Sequence, residues 1–247
     1  MDSMEEGVEA YRRLTEYAQL RCDELSGLVA PYIEVTDRYG ELVSKLVLVL
    51  GRKAPTDPVD EACRDLLADV FDFLYEARRT ILASQFSVAF PLLRRAYEST
   101  SLLAACEFDR ALGERWVQGK QISNSEVRRV LSKHPMGEQL ETTNKLYKFL
   151  SQGAHPNREM VPGRSLGTLN QFVLGSISQP DLIVFAEHCR QHLSLWFWFC
   201  AVITFRHKEL TDMLYGEKYC KTADDAKKVA GWFVSETRRL RREQGCT

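Results

Sequence analysis

Several signals that would commit this chain to a function class are missing from it. None of the seven cysteines, at 22, 63, 106, 189, 200, 220 and 246, forms a C-x-x-C pair. Their odd number and their places in helical patterns fit small apolar fillers in a reducing cytosol. Asn-Gly and Asp-Gly dipeptides are absent, which removes the strongest β-hairpin signal. No Gly-rich phosphate loop and no internal repeat is visible. The longest apolar run, Leu193 to Phe205, is broken only by Ser194 and Thr204 and falls short of the ~20 residues that span a bilayer. The opening Met-Asp-Ser-Met-Glu-Glu is acidic and lacks the basic-then-apolar run of a signal peptide. A cytoplasmic protein with no membrane partner is therefore expected. A formal net charge of −1 provides no whole-molecule field for nucleic acid, so any such binding has to come from a local patch.

What is present is helical periodicity. At 247 residues and 45% hydrophobic, the chain can bury a sizeable core. Apolar spacing predicts helices over Glu5–Leu28, Asp37–Leu50, Val59–Ser84 and Gln85–Phe108, with Pro31 interrupting the first pair and Pro91 kinking or delaying the fourth. Gly51 to Pro58 reads as a loop ending in an Asp57 cap and a proline at the first helical position. Short helices follow over Asp109–Lys120 and after Ser123, where Ser123-Asn124-Ser125-Glu126 has the capping-box spelling. Gly137–Gln152 carries Tyr147 and Ser151. His155–Gly175 is the longest irregular stretch, with a strand-like piece at 168–174. Asp181–Leu210 should be the central buried helix, Tyr215–Thr222 a turn, and Ala223–Glu243 a terminal amphipathic helix using Val229, Trp232, Phe233 and Leu240. The fold class is all-α: a helical bundle on long antiparallel helices, divided as 1–58 N-terminal segment, 59–210 core and 211–247 C-terminal extension.

Polar residues interrupt these apolar helices at few places. Arg94 and Glu98 stand at i, i+4 among Leu92, Leu93, Leu102 and Leu103, where charges are seldom kept unless paired or functional. Tyr147 and Ser151 are also four apart, roughly 5–6 Å at Cβ on one helix face. Gly153 is a natural C′ residue, and Pro156 disfavours the α region for His155. That would put His155 just past a helix C-terminus, where the dipole favours an imidazolium. His188 and His192 have the i, i+4 spacing of a metal grip, but Cys189 and Arg190 break the H-E-x-x-H pattern and no third ligand is evident, so no metal and no cofactor are expected. The run Arg238, Arg239, Arg241 and Arg242 suits a helix C-terminus, with nucleic-acid contact through phosphates as the sharper alternative.

Arg94-Arg95-Ala96-Tyr97-Glu98, taken with Tyr147 to Pro156, resembles a family of bacterial helical proteins bearing Arg-x-x-x-Glu on one long helix and Tyr-x-x-x-Ser-x-x-x-His farther on. That family is similar to the HEPN superfamily. The resemblance runs from about Leu66 to His207. It implies a compact bundle, a homodimer, and metal-independent binding or cleavage of RNA or another phosphate ligand in a toxin or antiphage-defence setting. Carried over, His155, Arg94 and Glu98 would be catalytic, and Tyr147, Ser151 and Asn157 would bind ligand. Arg94 would hold a phosphate, Glu98 would orient Arg94 or His155, and His155 would be the general acid or base. The chain departs from the superfamily at one point: no arginine lies four to six residues before His155, whereas Arg129 to His134 has that spacing. A non-enzymatic, dimerising helical scaffold whose polar groups form a buried structural network is the competing expectation.

Overall fold

The structure is a computed structural model that describes residues 2–133, 140–154, 165–166, 171–172 and 181–243. Among these, ten helices carry nearly all the chain: α1 Asp2–Leu28, α2 Ala30–Leu50, α3 Pro58–Leu82, α4 Phe86–Phe108, α5 Arg110–Val117, α6 Asn124–Lys133, α7 Leu140–Ala154, α8 Leu182–Arg206, α9 Lys208–Tyr215 and α10 Glu217–Glu243. The only extended pieces among the described residues are β1 Ser165–Leu166 and β2 Gln171–Phe172, an antiparallel pair two residues long. The fold is an all-α helical bundle, as the periodicity predicts.

The centre is the antiparallel hairpin of α3 and α4. Asp69 accepts from Ser99 at 2.6 Å midway along it, and Cys63 lies against Glu107 at its far end. Asp57 caps α3 by accepting from the Val59 and Asp60 amides at 2.8 and 3.0 Å, with Pro58 in the first turn where its missing N–H costs nothing. The hairpin turn is sharp. Ser84 adopts φ +58°, and the Gln85 amide reaches back to the Thr80 carbonyl at 2.8 Å to close the end of α3. Ser84 is buried and its hydroxyl has no partner among the described residues. Ser84→Gly is therefore expected to raise stability by up to about 1 kcal/mol, read as a higher urea midpoint with unchanged slope.

α8 lies against α2, α3, α4 and α10, burying Phe185, Leu193, Trp196, Phe199 and Ile203. Trp196 stacks on Tyr39 of α2 and meets Phe71 of α3 edge-on. A fully buried side chain of this kind contributes about 1.5–3 kcal/mol. α2 is thus part of the same core, through Tyr32, Val35, Tyr39, Leu42 and Leu46.

Element boundaries shift for local reasons. α2 begins at Ala30 rather than Asp37, because a proline in the first turn starts a helix instead of interrupting it; only Val29 separates α1 from α2. α4 starts at Phe86, so Pro91 neither delays it nor ends it. His207 splits the expected Asp181–Leu210 helix into α8 and α9. The expected turn over 215–222 shrinks to Gly216, whose φ of +45° needs no more than one residue to redirect the chain. α7 runs through Ala154, so Gly153 is helical and is not a C′ residue. Val229, Phe233 and Leu240 of α10 are buried, but Trp232 is 44% exposed and lies outside the core face.

Two polar assemblies are built into the core. At one end of the hairpin, Arg206 of α8 pairs with Glu107 of α4 and stands 3.7 Å from Asp60 of α3. Asp60 also pairs with Arg64 at 2.7 Å, and Arg64 donates to the Leu50 carbonyl at the end of α2. At the middle, fully buried His192 joins three helices. Its Nε2–H donates to the Leu74 carbonyl of α3 at 2.9 Å, and its Nδ1 accepts from the Tyr32 hydroxyl of α2 at 2.7 Å. The Trp196 indole N–H comes within 3.1 Å of the same Nε2. One in-plane position cannot both donate and accept, and the acceptor-only carbonyl sets the tautomer.

Candidate phosphate-binding site

The densest convergence of polar side chains lies where α4, α6 and α7 meet. Each helix contributes an i, i+4 pair that its amphipathic pattern turns to one side. Arg94 and Glu98 come from α4, Asn124 and Arg128 from α6, and Tyr147 and Ser151 from α7. The Ser123 hydroxyl accepts from the Glu126 amide at 3.2 Å, capping α6 and fixing where Asn124 and Arg128 point. Glu126 does not complete the box; it pairs with Arg115 of α5.

Arg94 Nε donates to Glu98 Oε1 at 2.9 Å, and Arg94 Nη2 donates to the Tyr147 hydroxyl at 3.0 Å. Asn124 Nδ2 donates to the same Glu98 oxygen at 2.8 Å and lies 3.4 Å from the Tyr147 oxygen. The Arg128 guanidinium sits over the Tyr147 ring, 4.1 Å from its centroid, and the Arg94 guanidinium is 5.3 Å from that centroid. Arg128 Nε donates to Asn144 of α7 at 2.7 Å. Burial lowers the Arg94 pKa, but Glu98 and Tyr147 outweigh it and the net shift is upward, so the guanidinium is charged throughout.

Two atoms on these helices are left over, one at the junction and one a turn beyond Tyr147 on α7. Arg128 Nη1 is buried without a partner among the described residues, and so is Ser151 Oγ. Among the described residues, two guanidiniums, Arg94 and Arg128, and one carboxylate, Glu98, meet at this junction. With side-chain exposures of 24% and 16%, the Arg94–Glu98 pair is half-screened rather than sealed. Chemically, the arrangement can accept an oxyanion.

The structure thus brings together Arg94, Glu98 and Tyr147, and puts Ser151 on the same helix one turn on. His155 and Asn157 lie outside the described residues, as does His134. Asn124, Arg128 and Asn144 were missed by sequence reasoning. Their only signal is spacing, since Asn124–Arg128 repeats the i, i+4 pattern, and surface pairs of that kind are common in any helix.

The other motifs resolve differently. His188 and His192 do not form a metal grip: His192 spends both ring nitrogens on protein partners, and His188 Nδ1 donates to the Val184 carbonyl at 2.7 Å. No cluster of three or more His, Cys, Asp or Glu residues able to hold a metal occurs among the described residues. Arg239 pairs with Glu236 and Glu243, as expected for a solvated helix end. Gly163-Arg164-Ser165-Leu166-Gly167 has the G-x-S-x-G spelling, a match that sequence reasoning also missed. A nucleophile elbow needs a strand leading into a helix at the top of an α/β sheet, and Ser165 belongs only to the two-residue β1 in an all-α fold. The described cysteines are free, and burial pushes the thiols of Cys189 and Cys200 far up. No helix among the described residues is long and apolar enough to cross a membrane.

Compared with protein-family models, the chain matches none. Comparisons with curated proteins and with solved structures likewise give no match.

Proposed function

We propose that the α4–α6–α7 junction binds a phosphate group, with RNA as the ligand class, in a HEPN-like homodimeric protein of toxin or antiphage type. The observation that carries this reading is the pair of guanidiniums, Arg94 and Arg128, on one tyrosine ring, with Arg128 Nη1 buried and without an acceptor among the described residues. An anion completes such a site, because a buried donor without a partner costs about 1–3 kcal/mol. In this reading Arg94 and Arg128 hold the phosphate, Glu98 and Asn124 orient Arg94 and Tyr147, and Ser151 and Asn157 add contacts. His155, next after the last residue of α7, either takes the proton of a 2′-hydroxyl as its oxygen bonds to the adjacent phosphorus or gives a proton to the 5′-oxygen as its bond to that phosphorus breaks.

Arg128 gives the superfamily spacing a second candidate, since it precedes His134 with five residues between them. The test is cleavage of RNA by the purified protein with a chelator present, comparing wild type with His155→Ala and His134→Ala. Loss of at least ~10²-fold in His155→Ala alone is the expected result. Loss in His134→Ala alone would move the chemistry to the Arg128–His134 pairing. No cleavage by wild type would leave binding without catalysis.

A second reading has its own support. Arg94 donates to Glu98 and Tyr147, Asn124 to Glu98, and Arg128 to Asn144, bonds of the kind that a network clamping α6 and α7 to α4 requires.

A further inference from the structure

α1 is held to the bundle along one side, where Leu25 is fully buried and the Cys22 thiol lies against the Arg79 carbonyl of α3. An adjoining side carries a different pattern. Tyr17 and Leu20 are 43% and 64% exposed. Arg13 stands before them and Glu24 after them, with side chains 58% and 57% exposed. The four follow one another at steps of four, three and four residues, which is the 3.5-residue period of a seam between two helices. A tyrosine and a leucine left in water on one seam forgo burial that a partner helix supplies.

Each of the two charges has a neighbour on its own helix. Arg13 Nε donates to Glu9 at 3.0 Å, and Arg21 donates to Glu24 at 2.5 Å. Both Arg13 and Glu24 remain more than half exposed, so each has room for a second, opposite charge. Along the seam the order is basic, aromatic, aliphatic, acidic. Turned end for end, that order sets acid against base and apolar against apolar.

We infer that α1 pairs antiparallel with α1 of a second copy of this chain, about a twofold axis between Tyr17 and Leu20. In this register each Arg13 meets the partner's Glu24, and each Tyr17 meets the partner's Leu20. That is the self-complementarity a twofold interface requires. A parallel pairing in register would set like charges on each other at both ends, so charge selects the antiparallel one. Glu16 and Asp23 flank the seam and are exposed to water, where their repulsion is weak. Two apolar layers make a modest contact, with a dissociation constant of about 10–100 µM. The interface supplies a surface for the homodimer proposed above and rests on that part of the reading, not on the phosphate site.

Sedimentation equilibrium of the full chain from about 1 to 500 µM reads the association, with melting temperature as a check on folding. Wild type is expected to dimerise and Leu20→Lys to stay monomeric throughout. Arg13→Glu or Glu24→Arg alone turns two cross-copy pairs repulsive and should weaken the dimer about tenfold or more. The two together should restore it to within about threefold of wild type. Within one helix each reversal creates repulsion, with Glu9 or with Arg21, in the single variants and in the double alike. Recovery therefore reports only the pairing between copies. A dimer indifferent to Leu20→Lys and to the charge reversals would overturn the α1 interface while leaving a homodimer in place. A monomeric wild type would overturn both, with RNA affinity still deciding the phosphate site separately.

Discussion

Lowering the pH from 7 to 5 is expected to cost the fold at least about 3–4 kcal/mol, measured as urea-unfolding free energies at the two pH values. The source is the pair of neutral imidazoles on α8. Burial holds His192 at about 3 and His188 at about 4, against an unfolded value near 6.5. The carbonyl hydrogen bonds of Leu74 and Val184 offset this only in part. Below pH ~6.5 the unfolded chain takes up protons that the folded chain refuses, so stability falls as pH falls until the folded values are reached. Each histidine contributes up to about 1.4 kcal/mol per pH unit in that window. His207, half-buried beside Arg206 and also held down at about 4, acts in the same direction. Carboxylates are a minor influence between pH 7 and 5, because their unfolded values lie lower. Asp60 becomes important only in stronger acid: burial raises its pKa, but the Thr56 amide, Arg64 and Arg206 bring it below the ordinary value, so its contribution is lost as pH falls through the acidic carboxylate range. A stability that stays flat from pH 7 to 5 would show that these imidazoles are not buried neutral.

Arg206→Met should destabilise the protein by about 3–5 kcal/mol, the range for breaking a buried pair from one side. Arg206 and Glu107 are 16% and 17% exposed, and the arginine also faces Asp60. Methionine fills much of the same volume but leaves Glu107 without its cation beside buried Cys63 and Cys106. Asp60 keeps Arg64, so the stranded charge is mainly that of Glu107. Adding Glu107→Gln to Arg206→Met should therefore recover part of the loss, a coupling that a double-mutant cycle reads directly. Additive effects would mean the two side chains do not share a buried pair.

The helices were legible because their apolar residues keep the helical period and their ends carry known chemistry, as at Asp57-Pro58 and Ser123. Boundaries failed where one residue decides. Pro31 starts α2 rather than breaking it, His207 divides a continuous apolar pattern, and Gly216 does the work of a longer turn. The candidate site was legible in half. Arg94, Glu98 and Tyr147 stand out as polar interruptions of buried faces, and they do meet. Asn124, Arg128 and Asn144 lie on helix faces that are polar anyway, so pattern cannot distinguish them from solvated neighbours. Trp232 shows the converse, an aromatic at helical spacing that faces outward. His192 was read as half of a metal grip because spacing records neighbours on its own helix; Tyr32 and Leu74, which occupy it, come from other helices.

The proposed phosphate site at the α4–α6–α7 junction and a purely structural clamp differ in what loss of an arginine does. Arg128→Gln and Arg94→Gln separate the two when RNA affinity and melting temperature are measured on the same preparations at fixed salt. A phosphate site should lose at least about tenfold in affinity in each variant, with the melting temperature of Arg128→Gln within about 2 °C of wild type. Unchanged RNA affinity with a melting temperature lowered by ~5 °C or more would contradict it and make the junction a structural network.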